Sequence, residues 1–172
     1  EPQRITFASG DRVTFDRVLI GEVWFAGGQS NMEMPLGGFW QCPVTDANEI
    51  IARADAKSGK LHYVKIPHAA AYTPQDRTAG SWTPCTTATA AKFTAAGYFF
   101  AEMLNDVLGV PVGIIDCSWG GSRVESWMSR EVLSGYSDID LTEEGISRVA
   151  QHLRPMVMYN AMLRPVAGYT VR

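Results

Sequence analysis

The spacing of hydrophobic positions predicts two kinds of β-strand. Apolar and polar residues roughly alternate over 5–15, around Ser9-Gly10-Asp11, which predicts a hairpin or two edge strands. Near-continuous apolar runs cover 18–26 and 112–117, and paired glycines follow each of them closely. Runs of this kind are typical of strands that are covered on both faces in a parallel sheet. We therefore expect a buried parallel sheet in addition to the hairpin.

Helical spacing lies between these strands. The clearest helix is predicted over 91–108, where apolar residues recur at spacings of three and four. A shorter helix is expected over 46–56, with Asp46 as its N-cap, followed by a strand at 61–66. Strands that alternate with helices predict an α/β layer architecture, in which ligands bind at the carboxyl ends of the strands.

The rest of the chain is less regular. Residues 147–163 are predicted to be helical around a proline, and 169–172 to begin a further strand. The connection over 67–89 is longer than a passive connector usually is, which makes it a candidate rim for a binding site. Trp40 and Trp82 lie in loops, where they could stack on a sugar ring or have only structural roles. The other three tryptophans lie in or near apolar segments and are expected in the core.

Composition and charge restrict the classes of function. The chain has 172 residues, of which 46% are hydrophobic and 19% charged, and this fits one globular domain. Its net charge of −3 gives no indication of nucleic acid or an anionic membrane as a partner. No apolar run approaches the roughly 20 residues of a membrane helix, and residues 1–4 lack the features of a signal peptide.

Three cysteines are too few to indicate a disulfide scaffold, and their spacing does not indicate a zinc site. Cys42 and Cys85 both lie in proline-containing loops and could form a disulfide, but free thiols are favoured. The sequence predicts no metal and no cofactor.

Ser30 is the first candidate for chemistry. It follows Gly27-Gly28-Gln29 at the end of the first buried run, where an exposed hydroxyl and free backbone N–H groups suit a nucleophile with an oxyanion site. The spacing is not the Gly-x-Ser-x-Gly of a nucleophile elbow. An alternative is a capping box, in which Ser30 accepts from a backbone N–H and Glu33 reaches back.

Gly120-Gly121 follows the second buried run in the same way. A backbone N–H of this pair could approach a substrate oxygen without obstruction by a side chain, or the two glycines could simply form a turn. Ser122 and Glu125 repeat the spacing of a capping box. Arg123 is either a clamp for a carboxylate or a solvated surface residue.

A serine hydrolase also needs a base, and the chain has three histidines. His62 lies within a predicted strand, His68 opens the loop after it, and His152 lies in a predicted helix. Structural or surface roles are favoured for each of them. The residues alone therefore identify no base for Ser30.

Three segments resemble a known family. They are Val18-Leu-Ile-Gly-Glu-Val-Trp-Phe-Ala-Gly-Gly-Gln-Ser-Asn-Met-Glu-Met-Pro-Leu36, Val112-Gly-Ile-Ile-Asp-Cys-Ser-Trp-Gly-Gly-Ser-Arg-Val-Glu-Ser-Trp127 and Met158-Tyr-Asn-Ala-Met162. Together, and in this order, they resemble the sialate O-acetylesterase family of SGNH (GDSL-like) hydrolases. The resemblance implies a flavodoxin-like α/β/α sandwich with a parallel sheet, and hydrolysis of acetyl esters on carbohydrates without a metal.

Carried onto the matching positions, the resemblance assigns roles to individual residues. Ser30 would be the nucleophile, and its own N–H, together with the N–H of a glycine in Gly120-Gly121, would bind the oxyanion. We predict that the acetylated sugar is bound by residues near these blocks, namely Gln29, Asn31, Trp40 and Arg123. The substrate class also implies an extracellular or periplasmic location.

The chain also departs from the family pattern. Residues 1–17 resemble the tail of a preceding β-rich segment, and 18–172 resemble the N-terminal part of the SGNH-like domain. The later blocks of the family, which supply an oxyanion asparagine and an Asp-x-His base, are absent from the sequence. We therefore expect an incomplete domain with little activity of its own, which associates with the missing C-terminal part or another chain. The alternative is a non-catalytic carbohydrate-binding or structural fragment.

Overall fold

An antiparallel hairpin opens the chain in the computed structural model, which describes residues 1–171. Its strands are β1 (Gln3–Ser9) and β2 (Asp11–Val18), and they form a sheet of their own. Gly10 makes the turn with a φ of 84°, in the left-handed region that glycine adopts without strain. This confirms the predicted hairpin. The assignment of residues 1–17 to a preceding segment stays a prediction.

A second, four-stranded sheet lies at the centre of the fold. It contains β3 (Glu22–Gly28), β4 (Leu61–Lys65), β5 (Thr83–Pro84) and β6 (Val112–Ser118), in the spatial order β3-β6-β4-β5. Strands β3, β6 and β4 are parallel, and only the short β5 is antiparallel. Gly28 pairs with Ser118, so the carboxyl ends of β3 and β6 lie side by side. The predicted parallel sheet is confirmed.

The longest helix borders this sheet. Five α-helices are α1 (Ser30–Glu33), α2 (Ala47–Ala52), α3 (Ala95–Leu108), α4 (Arg130–Leu133) and α5 (Glu143–Ser147). Helix α3 begins at 95 rather than 91, because residues 90–92 form a separate 3₁₀ turn. The Thr94 hydroxyl accepts from the Gly97 N–H as its N-cap, and Gly109 ends the helix in the left-handed conformation.

Three local predictions were wrong. Asp46 precedes α2 in the left-handed conformation and makes no side-chain capping bond, and the helix ends at 52. Residues 147–163 are not one helix, since they break into 3₁₀ and π-helical turns around Pro155 and a left-handed Met156. Residues 169–171 form no strand, because the Tyr169 N–H closes a turn onto the Val166 carbonyl. The predicted strand residue Arg172 lies outside the described residues.

The core consists of two clusters, one on each face of the central sheet. Adjacent strand residues point to opposite faces, so Ile114 packs in one cluster and Ile115 in the other. The first cluster contains residues of α3 such as Tyr98, and the second contains residues of the C-terminal part such as Leu133 and Met162. The result is the three-layer α/β/α arrangement expected for this chain.

The cysteines are free thiols. Cys85 and Cys117 are buried and Cys42 is exposed, so the alternative of a disulfide between Cys42 and Cys85 is wrong. Burial raises the pKa of the Cys85 thiol to about 11, which keeps it protonated and unreactive at neutral pH. Among residues 1–171, no helix has both the length and the apolar character needed to cross a membrane.

Candidate active site

Ser30 lies at the carboxyl edge of the central sheet, where β3 turns into the single-turn helix α1. Its side chain is exposed, as a nucleophile requires. The turn after β6 lies beside it, since the Trp119 N–H donates to the Gly28 carbonyl over 3.1 Å. The two glycine-rich turns that the sequence singled out are therefore adjacent in space.

Three donors from these turns converge on one oxygen atom. The side-chain oxygen of Gln29, Oε1, accepts from the Ser30 N–H at 3.0 Å, from the Ser30 hydroxyl at 2.8 Å and from the Gly121 N–H at 3.3 Å. A carbonyl oxygen beside a nucleophile and held by two backbone N–H groups has the surroundings of an acyl oxyanion. The amide oxygen of Gln29 fills this position in the structure.

Gly120 has a different partner from Gly121. Its N–H donates to Oε2 of Glu33 over 2.5 Å. A Cβ on Gly120 would lie 2.9 Å from this Glu33 oxygen and 3.4 Å from the Ser30 hydroxyl oxygen. Only glycine allows the turn to approach Ser30 so closely, and this explains the first of the paired glycines. Gly121, with a φ of 73°, needs glycine for its backbone conformation.

Glu33 is the centre of a charged cluster under the nucleophile. Its Oε1 accepts from His68 Nε2 at 2.6 Å and lies 3.8 Å from the Lys65 ammonium. The His68 ring stacks on Trp119, with centroids 4.2 Å apart and planes within 2° of parallel. The Glu33 side chain is only 15% exposed, so these interactions are little screened by water.

Asp116 lies deeper in the same region, within β6. Its Oδ1 accepts from the Ser118 hydroxyl, while its buried Oδ2 accepts no hydrogen bond and lies 3.8 Å from the Lys65 ammonium. Burial raises the pKa of the Asp116 carboxyl, and the Ser118 hydrogen bond and Lys65 oppose that shift. Sequence reasoning missed this residue, although an aspartate inside an otherwise apolar run is a signal that could have found it.

No histidine of residues 1–171 hydrogen-bonds to the Ser30 hydroxyl, whose partner is Gln29. His62 lies at the other end of the sheet, where burial, and to a lesser extent Arg17, lowers its pKa. His152 lies against the turn, since a Cβ on Gly121 would be 3.5 Å from its Nε2. His68 belongs to the Glu33 cluster, and its position just after β4 is the signal that sequence reasoning undervalued.

Neither predicted capping box forms. The N-cap of α1 is Gln29, and Glu33 contacts Gly120 and His68 instead of reaching back. The Ser122 hydroxyl accepts from the Trp127 indole at 2.9 Å, and no side chain caps the 3₁₀ helix Val124–Trp127. In both cases the polar side chains have partners farther along the chain, which a local motif does not reveal.

The residues predicted to bind substrate are only partly brought together. Gln29 and Arg123 line one cavity of about 530 Å³, with Phe25, Trp127 and others as its walls. Asn31 is exposed on α1 next to Ser30. Trp40 is 88% exposed in the loop after α1, and no described contact joins it to Ser30.

The other loop tryptophan lies away from this site. Trp82 lines a cavity of about 470 Å³ at the amino ends of the strands, together with His62 and Tyr169. Its ring packs over the backbone of β6, since a Cβ on Gly113 would lie 3.0 Å from it. The connection over 67–89 therefore serves both ends of the sheet, with His68 at one and Trp82 at the other. Within the described part of the chain, no three His, Cys, Asp or Glu side chains are grouped as metal ligands.

Comparison with known proteins gives relatives of one kind. No protein-family model matches the chain. Sialate O-acetylesterase of Rattus norvegicus is 30% identical over 146 residues, covering 81% of this chain, and that of Homo sapiens is 27% identical over 162 residues, covering 90%. The mouse enzyme is 25% identical over 190 residues and also covers 90%. The chain spans only 26% to 34% of the length of these relatives.

A solved structure agrees with these relatives. The crystal structure of a carbohydrate acetylesterase from Xanthomonas citri is 35% identical and superposes with a TM-score of 0.81. The match covers 99% of this chain and 36% of that one. Sequence motifs, fold and relatives thus agree, and this chain belongs to the sialate O-acetylesterase family of SGNH-like carbohydrate esterases.

Proposed function

We propose that this chain carries the nucleophile and oxyanion hole of a carbohydrate acetylesterase, with Ser30 as the nucleophile. One observation supports this more than any other, namely the convergence of the Ser30 and Gly121 N–H groups on a single oxygen beside the Ser30 hydroxyl. Two donors aimed at one point are what a tetrahedral acyl intermediate needs, and they are not needed for a simple turn. The acetylesterase relatives support the same chemistry.

The reaction follows from these positions. The Ser30 oxygen attacks the carbonyl carbon of the acetyl group and loses its proton to a base, while the carbonyl oxygen becomes an oxyanion between the Ser30 and Gly121 N–H groups. The sugar oxygen then leaves with a proton and an acetyl-enzyme remains, which water hydrolyses to acetate. Since the Gly120 N–H is engaged by Glu33, Gly121 supplies the donor from the glycine pair. Gln29 must withdraw before substrate enters.

We propose that the base comes from polypeptide outside residues 1–171, as the family resemblance implies, together with a third oxyanion donor. The hydrogen bond of the Ser30 hydroxyl to Gln29 supports this, because it leaves the serine without a basic partner. A serine hydrolase without its base retains only the rate that the oxyanion hole and binding provide, about 10³ to 10⁴ over water. We therefore expect slow ester hydrolysis by the 172-residue chain.

The acetylated carbohydrate is proposed to bind in the cavity beside Gln29. Its walls include Phe25 and Trp127, which offer apolar surface to a sugar ring, and the exposed Arg123, which offers donors to hydroxyl or carboxylate oxygens. Asn31 and Trp40 are retained as binding residues on the family resemblance alone. An extracellular or periplasmic location is proposed on the same basis.

A second candidate function is a non-catalytic carbohydrate-binding fragment. The lack of a base on Ser30 within residues 1–171 favours it. The two functions differ in the reactivity of Ser30, because a binding site alone does not make a hydroxyl more reactive than other exposed serines. Saturable binding of acetylated oligosaccharides without any selective reaction at Ser30 would favour this second function.

The test is covalent labelling with a fluorophosphonate. Intact-mass and peptide mass spectrometry of the 172-residue chain should show one slow, selective adduct on Ser30, because the oxyanion hole lowers the barrier even without a base. Ser30→Ala should abolish the adduct, whereas Ser81→Ala, at an exposed serine near β5, should not change it. Equal labelling of Ser30 and Ser81, or none at Ser30, would contradict the proposed nucleophile.

A further inference from the structure

Glu33 occupies a special place in α1. The helix has four residues, with Ser30 at its first position and Glu33 at its last, so both side chains leave the same helical turn. The Glu33 carboxylate then crosses to the turn after β6 and accepts the Gly120 N–H, 87 residues away in sequence. One side chain thus joins the element that carries Ser30 to the element that carries Gly121.

The carboxylate is itself held from two further sides. His68 donates to Oε1 and is fixed by stacking on Trp119, the residue that precedes Gly120. The Lys65 ammonium lies 3.8 Å from the same oxygen. Gly120, Trp119 and His68 therefore form a closed ring of contacts around Glu33, in which a movement of the carboxylate moves the glycine turn.

The hydrogen bond from Gly120 has consequences for its neighbour. A carboxylate is a stronger acceptor than a neutral oxygen, so the Gly120 N–H stays directed at Glu33 and away from the reacting acyl group. Gly121, one peptide further, is left with its N–H directed at the point beside Ser30. The distance between the two oxyanion donors thus depends on the length of the Glu33 side chain.

We propose that Glu33 is a positioning residue, which holds the Gly120-Gly121 turn against α1 and so sets the separation of the Ser30 and Gly121 donors. The proposal rests on the proposed function only in calling these donors an oxyanion hole. The role differs from that of a capping residue, because the partner of Glu33 lies on another element. It also differs from general acid catalysis, since both carboxylate oxygens already have partners.

The test combines amide NMR with labelling kinetics on the 172-residue chain. Three variants form a series: Glu33→Gln keeps a neutral acceptor of the same length, Glu33→Asp shortens the side chain, and Glu33→Ala removes the acceptor. Glu125→Gln, at an acid beside the same turn, is the matched control. Backbone amide signals of Ser30, Gly120 and Gly121 and their hydrogen-exchange rates are recorded for each protein.

The expected NMR result is a graded one. In the wild type the Gly120 amide proton should be shifted downfield and protected from exchange, as for a bond to a carboxylate. It should move upfield in Glu33→Gln and further in Glu33→Ala, and the Ser30 and Gly121 signals should move with it. Glu125→Gln should leave all three unchanged. An unchanged Gly120 amide in folded Glu33→Gln would overturn the proposal.

The labelling rate supplies the second readout. Glu33→Ala should lose much of the roughly 10²- to 10³-fold that one oxyanion donor contributes, and Glu33→Gln should recover part of that loss. Equal rates in all variants would count against a positioning role. Should Glu33→Ala fail to fold, Glu33→Gln alone decides the outcome. Absence of labelling in the wild type would remove the proposed function, while the NMR series would still decide the role of Glu33.

Discussion

The two ends of the central sheet hold cavities of similar volume but different chemistry. The cavity beside Gln29 at the carboxyl end measures about 530 Å³, and the one beside Trp82 at the amino end about 470 Å³. At the carboxyl end, the N–H groups of Ser30 and Gly121 meet at one point. At the amino end, the corresponding backbone is already paired, as where the Glu22 N–H donates to the Pro111 carbonyl. Free backbone donors, rather than cavity size, distinguish the candidate active site.

The reason lies in how the chain leaves each strand. After β3 and β6 it turns sharply at glycines, which releases backbone N–H groups from the sheet and lets the two turns approach each other. Before β3 and β6 it approaches closely as well, since a Cβ on Gly21 would lie 2.0 Å from the Pro111 oxygen. There, however, the close approach only packs backbone against backbone. We therefore expect substitutions at the two ends to have different effects.

Gly120→Ala should have the largest effect on reactivity. The new Cβ would lie 2.9 Å from Glu33 Oε2 and 3.4 Å from the Ser30 hydroxyl, so the turn must move away from the nucleophile. We expect the fluorophosphonate labelling rate of Ser30 to fall by about 10²-fold or more, as when an oxyanion donor is lost. Gly59→Ala, where the added methyl meets no atom within 4 Å, is the control. A labelling rate within twofold of wild type would sink the assignment of this turn.

Trp82→Ala should show the reverse pattern. A fully buried tryptophan typically costs 3 to 5 kcal/mol on truncation, and because this one is 40% exposed we expect a loss of about 2 kcal/mol in the free energy of unfolding. Urea unfolding measures this loss. The labelling rate of Ser30 should not change, because Trp82 packs over Gly113 at the other end of β6. A parallel fall in reactivity would show that the two ends are coupled.

Much of this contrast could be predicted from the sequence. The apolar runs that became β3 and β6 end in glycines, and parallel pairing then necessarily places Ser30 and Gly120-Gly121 at one edge. The partners of Gln29 and Glu33 could not be predicted, because they depend on how two turns approach each other in space. Local motifs were misleading for the same reason, since the capping-box spacing of Ser30 and Glu33 is satisfied by residues far away in sequence.

Gln29→Met should have a smaller effect of opposite sign. The variant keeps the size of the side chain but removes the oxygen that occupies the point between the Ser30 and Gly121 donors. A hydrogen bond contributes about 0.5 to 1.5 kcal/mol net, so we expect the labelling rate to rise by about two- to tenfold. Gln151→Met, on an exposed turn, is the control. A marked loss of labelling would instead make Gln29 part of the machinery that binds the acyl group.

Asp116→Asn should change the pH dependence of stability by the smallest amount. Burial raises the pKa of the Asp116 carboxyl, so the stability of the wild type falls as the pH rises above the ordinary value of 3.8 and the group must ionise. The asparagine does not ionise, and the variant should therefore gain on the wild type with rising pH. Urea unfolding over a pH series measures this difference.

Asp140→Asn provides a control of opposite sign. Hydrogen bonds from Thr142 lower the pKa of the Asp140 carboxyl, so its stabilising effect is present above 3.8 and lost as the pH falls. Replacing it should reduce stability at neutral pH and have no effect in acid. If both variants changed with pH in the same direction, the burial of Asp116 would not be the cause of its behaviour.

The most direct test of the central claim is a crystal structure of the chain after reaction with a fluorophosphonate. If Ser30 and Gly121 form the oxyanion hole, the phosphonyl oxygen of the Ser30 adduct will lie within hydrogen-bonding distance of both N–H groups. The Gln29 side chain will have left that position. An adduct whose oxygen contacts neither N–H group, with Gln29 still bound to both, would contradict the account.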